Sequence, residues 1–330
     1  MDRPVVAVVL AGGVGSRLYP ASRGDRPKQF LSPDGGASLL ARTVERASFA
    51  DGTLVVTRPE FAAAAREHAP GAEVLVEPAG RDTGPALVYA THVARERFDD
   101  PAVLALPSDH HVAGAFEPTA RRGLRLAADT GALVTFGVEP TRPETGYGYV
   151  EPGAARGAGF DVAAFHEKPD AETAAAYVEA GHLWNAGIFA WTPAAFLAAA
   201  RDSPLAPLVD ALDAPDPDAE SGFAAVDPAS VDHAVLERAA DVAVVPVDFA
   251  WDDLGTWDAI ERIEDAGFGG EVLTLDAADN VVAAPDRHVS LVGVSNLVVA
   301  AFDDRVLVVP KAEAGRVREV VDHLRDEDRF

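Results

Sequence analysis

The sequence lacks cysteine entirely and is nearly without lysine. Without cysteine it can form no disulfide, no thiolate metal site and no cysteine nucleophile. Lysine occurs three times among the 28 basic residues, at Lys28, Lys168 and Lys311. An ammonium group is a compact point charge, whereas a guanidinium group is a bulky planar fork. In a chain that otherwise uses arginine, we therefore expect a retained lysine to do something that arginine cannot.

Long apolar runs are also missing. No stretch approaches the ~20 apolar residues that a membrane-spanning helix needs. The run from Val5 to Leu10 is too short for the core of a signal peptide, and glycines and Arg17 follow it. The sequence thus predicts a soluble cytoplasmic protein with no membrane partner.

Basic residues are outnumbered by 53 acidic ones, and the formal net charge is −25. This charge argues against nucleic acid as a partner, because phosphate backbones attract basic surfaces. The acidity is spread along the chain, so the folded protein repels itself unless salt screens the charges. We therefore hypothesise a halophilic protein that works in a salt-rich cytosol.

The most informative stretch is VVAVVLAGGVGSRLYPASRGDRPKQFL, residues 5–31. Its Val-rich start predicts a buried parallel strand, and the glycines after it let the backbone turn sharply towards a ligand. Exposed N–H groups in such a loop bind anions. The motif is neither a G-x-G-x-x-G fingerprint nor a P-loop. The simpler alternative is a plain turn between strand and helix, but two cations in the same run favour a polyphosphate site. The candidate residues are Gly12, Gly13, Gly15, Arg17 and Lys28.

The motif GGVGSRLYP followed by RPKQF resembles the signature of the sugar-1-phosphate nucleotidylyltransferases. The PKQF ending is similar to that of the mannose-1-phosphate guanylyltransferase branch. The resemblance implies that Arg17 and Lys28 are catalytic and that the three glycines bind the nucleotide. The segment EPAGRDTGPA resembles a family loop that faces the nucleotide base, which implies base-side roles for Glu77 and Arg81. Asp82 stands where the family usually has Asn.

Two aspartates follow predicted strands. In PSDHH, Asp109 lies at the carboxyl end of a strand, where a carboxylate facing a phosphate site is well placed to hold Mg²⁺. The resemblance assigns the family's metal ligands to Asp109 and, in WDDLGTW, to Asp253. It therefore implies Mg²⁺ as the cofactor.

Three further motifs resemble the family's sugar-binding segments. PETGYGY implies that the backbone of Gly148 approaches the sugar, although a tight hairpin is the alternative. FHEKP implies that Glu167 binds sugar hydroxyls and that Lys168 meets the sugar phosphate, although an exposed ion pair is the alternative. WNAGIF implies that Asn185 binds a sugar hydroxyl.

Strands, loops and helices alternate through most of the chain, which predicts an α/β fold. The resemblance makes residues 1–266 a Rossmann-like, GT-A-like nucleotidyltransferase sheet. Short Val- and Leu-rich runs predict a small β-rich unit over 267–330, and this unit resembles the family's partial β-helix arm. The family's arm packs on the nucleotidyl domain or on a second subunit, so a homodimer through the arm is one expectation. The acidic, Pro-rich segment 204–227 is interpreted as a surface excursion.

The resemblance implies that GTP and mannose 1-phosphate are the substrates and that GDP-mannose and pyrophosphate are the products. Two alternatives stay open. One is a nucleotidylyltransferase for another hexose 1-phosphate, such as glucose with UTP or dTTP. The other is a catalytically inactive nucleotide-sugar sensor, although a sensor need not keep both metal carboxylates.

The charge hypothesis makes a prediction about salt. Because a Debye length of ~3 Å at 1 M salt screens acidic self-repulsion, the urea midpoint of unfolding should rise with KCl concentration. Urea melts followed by circular dichroism across a KCl series measure this midpoint. Equal stability in dilute and molar KCl would refute the hypothesis.

Overall fold

The computed structural model describes residues 3–262, 268–327 and 329–330. The predicted domain boundary between residues 266 and 267 lies outside these ranges and stays a prediction. In the described ranges, no helix is both long and apolar enough to span a membrane.

Helices and strands alternate along the chain. The strands are β1 (Val5–Leu10), β2 (Gly52–Thr57), β3 (Glu73–Val76), β4 (Ala102–Pro107), β5 (His111–Gly114), β6 (Leu133–Val138), β7 (Tyr149–Arg156), β8 (Gly159–His166), β9 (Leu183–Trp191), β10 (Val242–Pro246), β11 (Phe249–Asp252), β12 (Glu271–Leu275), β13 (Val281–Ala283), β14 (His288–Val292), β15 (Leu297–Phe302) and β16 (Arg305–Pro310). The α-helices are α1 (Leu39–Arg46), α2 (Ala62–His68), α3 (Thr83–Arg97), α4 (Phe116–Thr130), α5 (Ala171–Glu179), α6 (Pro193–Arg201), α7 (Ala206–Leu212), α8 (Ala219–Ala224), α9 (Trp257–Glu261) and α10 (Val317–Asp326). A short π-helical turn covers Asp232–Leu236.

The chain forms two compact units. The first consists of Met1–Gly12, Thr43–Pro107 and Val112–Trp251. The second consists of Gly13–Arg42, Ser108–His111 and Asp252–Phe330. The break between Gly12 and Gly13 falls inside the glycine-rich motif.

The first unit is built on a nine-stranded sheet in the order β3-β2-β1-β4-β9-β6-β10-β8-β7. The strand β1 pairs in parallel with β2 and β4, as its continuous apolar pattern predicts. The sheet is mixed, because β9 runs antiparallel to β4 and β6. This finding confirms the α/β class.

The segment 204–227 corrects one sequence interpretation. It forms α7 and α8 and contributes buried apolar side chains to the core of the first unit, among them Leu208, Val209, Leu212 and Phe223. It is therefore not a surface excursion. Its many Pro, Asp and Ala residues obscured two short helices whose apolar faces are narrow.

The C-terminal part of the second unit is a short solenoid. β12 pairs in parallel with β14, and β13 pairs in parallel with β15. Each residue lies beside the one seventeen positions later, as Glu271 beside His288 and Val281 beside Val298. Asn280 joins the coils, because its amide donates to the carbonyl of Val294 (3.1 Å). The β-rich character predicted for the C-terminal unit is confirmed.

The core of the second unit joins residues that are far apart in the sequence. Leu18 and Tyr19 from the glycine-rich loop pack in one cluster with Trp257, Val298 and Val317. The indole N–H of Trp257 donates to the backbone carbonyl of Tyr19 (3.2 Å). The C-terminal arm thus supports the glycine-rich loop directly. The homodimer stays a prediction. Apolar side chains also remain exposed on the arm, namely Val272, Leu273, Leu275, Val292, Val306, Val308 and Val320.

Candidate active site

The glycine-rich loop of the second unit wraps around Lys28. The backbone N–H of Lys28 donates to the carbonyl of Val14 (2.9 Å). Gly15 has a φ of 71°, and a Cβ atom added to it would lie 2.4 Å from the Cβ atom of Lys28. Only glycine therefore combines this backbone conformation with this close approach. The loop conformation and the position of the lysine depend on each other.

The ammonium group of Lys28 is buried, since the residue is 3% exposed. It donates to Oδ2 of Asp109 (2.8 Å) and to the backbone carbonyl of Asp253. A buried charge without partners is very unfavourable, so these contacts keep the ammonium in place. Both aspartates predicted as metal ligands thus contact Lys28.

The two aspartates differ in their surroundings. Burial would raise the pKa of Asp109, but Lys28 and His110 outweigh burial and hold the pKa below its ordinary value. Oδ1 of Asp253 accepts the backbone N–H of Gly255 (2.8 Å), and its Oδ2 lies 3.9 Å from a guanidinium nitrogen of Arg17. Two carboxylates are hard oxygen donors, which Mg²⁺ prefers together with water and substrate phosphates. The donor set therefore fits Mg²⁺.

Among the predicted site residues of the second unit, Arg17 and Gly13 are exposed. The guanidinium of Arg17 reaches a carboxylate only through its long contact to Asp253, as far as the described residues go. Beside Gly13, no heavy atom of the described residues lies within 4 Å of the position that a Cβ atom would take. The backbone there is open to a ligand.

A second group lies in the first unit, at the ends of β1, β2 and β3. A Cβ atom on Gly12 would lie 2.9 Å from Oε1 of Glu77. Glu77 is 4% exposed, and within the described ranges its Oε2 is buried without a hydrogen-bond partner. Burial raises the pKa of Glu77 to about 7; the charge of Arg58 opposes this rise, and Glu60 and Asp82 add to it. Sequence reasoning missed Arg58, which lies in no recognisable motif.

The loop after Glu77 leads into α3. The carbonyl of Arg81 accepts the backbone N–H of Ala229 (3.2 Å). Asp82, with a φ of 70°, is the N-cap of α3, and its Oδ1 accepts the N–H of Thr83 (2.7 Å). An aspartate serves as well as an asparagine as a helix cap. The Asp at this position therefore keeps a capping function.

A third group, also in the first unit, gathers the residues expected on the sugar side. A Cβ atom on Gly148 would lie 3.1 Å from Oε2 of Glu167 and 3.8 Å from Cβ of Asn185. The carbonyl of Gly148 accepts the backbone N–H of Asn185 (2.9 Å). Lys168 is exposed and forms an ion pair with Glu167. Gly148, Glu167, Lys168 and Asn185 are thus neighbours.

Sequence reasoning missed two residues that position Asn185. The hydroxyl of Thr135 donates to Oδ1 of Asn185 (2.9 Å), and Nδ2 of Asn185 donates to Oδ1 of Asp232 (2.6 Å). Burial raises the pKa of Asp232 to about 6, which the bond from Asn185 opposes and the charge of Glu167 reinforces. An isolated aspartate in so acidic a chain carries no sequence signal.

The comparisons with known proteins place the chain in a family. Residues 6–266 match the family model described as nucleotidyl transferase, and residues 270–324 match a MannoseP isomerase/GMP-like beta-helix domain. The chain therefore belongs to the nucleotidyl transferase family and is an enzyme of that class.

The chain is also similar to individual named proteins. The chain is 38% identical to the xanthan biosynthesis protein XanB of Xanthomonas campestris pv. campestris (strain B100), over 98% of this chain and 74% of the relative. It is 37% identical to mannose-1-phosphate guanylyltransferase ManC of Salmonella typhimurium (strain LT2), over 98% and 73%. A solved structure described as mannose-1-phosphate geranyltransferase from Thermus thermophilus is 39% identical, with a TM-score of 0.86 over 98% of this chain and 99% of that one. The resemblance indicated by the sequence motifs, and the nucleotidyltransferase fold, are confirmed.

The pKa of Glu77 predicts a pH dependence of stability. Because the folded-state pKa of about 7 lies above the ordinary value of 4.5, the folded protein holds this proton more tightly than the unfolded chain. The contribution of the protonated Glu77 to the free energy of unfolding is complete below about pH 4.5 and is lost as the pH rises through 7. Relative to Glu77→Gln, the wild type should lose up to about 1.4 kcal/mol of unfolding free energy per pH unit in this range.

Urea melts of both proteins from pH 5 to pH 8 measure this difference. The matched control is Glu67→Gln, which changes an exposed glutamate on α2. It controls for the loss of one carboxylate from the surface. Parallel curves for wild type and Glu77→Gln would mean that the Glu77 carboxylate is solvated.

Proposed function

We propose that this enzyme transfers GMP from GTP to α-D-mannose 1-phosphate and releases GDP-mannose and pyrophosphate. The observation that carries the proposal is the buried Lys28 ammonium, which contacts both Asp109 and Asp253. It is supported by the 37% identity to a relative named mannose-1-phosphate guanylyltransferase.

In the proposed reaction, a phosphate oxygen of mannose 1-phosphate attacks the α-phosphorus of GTP in line. A new P–O bond forms, and the bond from the α-phosphorus to the bridging oxygen of the β-phosphate breaks. The electron pair leaves with pyrophosphate. No covalent enzyme intermediate is needed, so the protein acts by positioning and by electrostatic stabilisation.

The residues of the second unit act on the phosphates. Lys28 binds the α-phosphate, and its limited freedom means that little reorganisation is needed during the reaction. Arg17 stabilises negative charge on the transferring group and on the departing pyrophosphate. The backbone at Gly13 and Gly15 binds the nucleotide phosphates. Asp109 and Asp253 would hold Mg²⁺, which supplies charge neutralisation at the phosphate oxygens.

The residues of the first unit bind the base and the sugar. Gly12, Glu77 and Arg81 are assigned to the nucleotide. A protonated Glu77 can donate a hydrogen bond, and its raised pKa keeps a substantial protonated fraction near neutral pH. On the sugar side, Glu167 and Asn185 bind hydroxyl groups, and the backbone of Gly148 comes close to the ring. Lys168 binds the sugar phosphate and offsets the repulsion between the two anionic substrates.

Substrate choice is tested by pyrophosphate release with Mg²⁺ in molar KCl. Four nucleoside triphosphates are each paired with mannose, glucose and galactose 1-phosphates. The expected maximum is GTP with mannose 1-phosphate. A maximum at another pair would keep the chemistry but overturn the proposed specificity. Nucleotide binding by a folded protein without release from any pair would indicate a sensor.

Single substitutions test the phosphate-side roles. Lys28→Ala and Asp109→Asn should each lower kcat by at least ~100-fold, as loss of a preorganised charge does. Both variants must retain the circular dichroism spectrum of the wild type.

Each substitution has a matched control. Lys311→Ala removes another of the three lysines, which pairs with Glu261. Asp248→Asn neutralises an exposed aspartate that pairs with Arg122. Both controls should keep a near-normal kcat. Folded Lys28→Ala or Asp109→Asn with near-normal kcat would contradict the assigned roles.

A further inference from the structure

A cluster of two histidines and a glutamate lies on the strands β7 and β8 and at the residue just before β9, in the first unit. Oε2 of Glu151 is 3.7 Å from Nε2 of His166 and 3.9 Å from Nε2 of His182. The three potential ligand atoms lie within 4.8 Å of one another. The cluster belongs to none of the three groups assigned to substrates.

The sheet itself creates this cluster. β7 pairs antiparallel with both β8 and β9. Tyr149 lies opposite His166 on β8, and Val150 lies opposite Leu183 on β9. Glu151 is therefore diagonal to His166 and beside His182, which immediately precedes β9. Side chains at such cross-strand positions are close enough to interact directly.

The histidines are held in place by an aromatic residue. The ring of Tyr177 stacks on His166 (centroids 4.5 Å apart) and on His182 (4.7 Å apart). The backbone N–H of His182 donates to the carbonyl of Tyr177 (3.0 Å). The two imidazoles are thus fixed against one ring, and little side-chain freedom remains to be lost on binding a ligand.

Each of the two histidines has a ring nitrogen whose hydrogen-bonding capacity is not used within the described residues. Over the described residues, Nε2 of His166, which faces Glu151, is buried and has no hydrogen-bond partner. On His182 the buried atom without a partner is Nδ1, and Nε2 is the nitrogen that faces Glu151. His182 is 8% exposed. Burial lowers the pKa of His182; Glu151 opposes this shift and His166 adds to it. A neutral imidazole is the form that binds a metal ion.

We propose that Glu151, His166 and His182 form a binding site for Zn²⁺ or a similar late transition-metal ion. Around a tetrahedral zinc ion the donor atoms lie about 3.3 Å apart. The distances of 3.7 and 3.9 Å therefore need to shorten by about 0.4 and 0.6 Å, and the three donor atoms, which lie within 4.8 Å of one another, must all close to this spacing. Two imidazoles and one carboxylate favour such ions over Mg²⁺, which prefers oxygen ligands. The Glu151 side chain is 45% exposed, so an ion can enter from solvent.

A bound ion would link β7, the end of β8 and the residue just before β9. His166 is the last residue of β8 and directly precedes Glu167 and Lys168. The ion would thereby fix the end of the strand from which these two side chains leave. The site is separate from the Mg²⁺ proposed at Asp109 and Asp253, and it does not depend on the proposed reaction.

The test uses the full chain, freed of metal by a chelator, and measures Zn²⁺ binding by calorimetry in a large excess of Mg²⁺. The excess Mg²⁺ occupies sites made of carboxylates alone, so that the heat of Zn²⁺ binding comes from sites with nitrogen ligands. We expect one Zn²⁺ per chain and a melting temperature that rises with Zn²⁺ concentration. Co²⁺ in place of Zn²⁺ should give visible absorption bands of a nitrogen-ligated ion.

Substitutions locate the site. His182→Gln, His166→Gln and Glu151→Gln should each weaken Zn²⁺ binding by at least ~10-fold, since even outer-shell changes cost that much. The matched control is His323→Gln, which removes a histidine from the exposed pair with Glu327 on and after α10. It should leave the affinity unchanged.

Two outcomes overturn the proposal. One is a wild-type protein that binds no Zn²⁺ under these conditions. The other is equal affinity in the wild type and in the folded variants. Should the buried substitution His182→Gln unfold the chain, Glu151→Gln and His166→Gln decide the matter, because both side chains are partly exposed.

Discussion

The group of residues around the glycine-rich loop depends on one buried positive charge, that of Lys28. Lys28 is almost fully enclosed, and its ammonium is acceptable there only because a carboxylate and a carbonyl meet it. Those partners, Asp109 and Asp253, come from chain positions far from the lysine and from each other. Removing the carboxylate would leave a buried ammonium without its ionic partner, whereas the Asp109 side chain is itself 32% exposed. The same contact therefore ties Lys28 to Asp109 and favours the ionised form of that carboxylate.

Much of the fold could be predicted because its signals are local. The run Val5–Leu10 is predicted as a strand, and it is β1 to the residue, because a short apolar run that ends at glycines defines it. The candidate phosphate residues were found because Lys28 is rare in composition and lies in a compact motif. The structure places Asp109 and Asp253 beside it, while their roles stay predictions. Parallel strands with ligands at their carboxyl ends made this arrangement a reasonable expectation.

What the sequence could not provide depends on contacts between distant segments. The helices α7 and α8 gain their buried faces only from the rest of the core, so segment 204–227 resembled a loop. Asp232 is one of 53 acidic residues, and what distinguishes it is its burial and the bond from Asn185, both of which depend on the fold. The raised pKa of Glu77 likewise results from burial, which no local pattern reports. The Glu151 cluster needs β7 to pair with both β8 and β9. The sequence of a single strand does not determine that register.

The second unit is assembled from three separated stretches, and this has a consequence for biosynthesis. Leu18 and Tyr19 are made near the start of translation, but they pack against Trp257 and Val317. At about 5–20 residues per second, the ribosome takes about 10–40 s to pass from residue 42 to residue 252. During that time the nascent glycine-rich loop can pack only against its own stretch, such as Leu31 and Leu39, because Trp257, Val298 and Val317 are not yet made. The order of synthesis thus delays the packing of the glycine-rich loop until the C-terminal solenoid emerges.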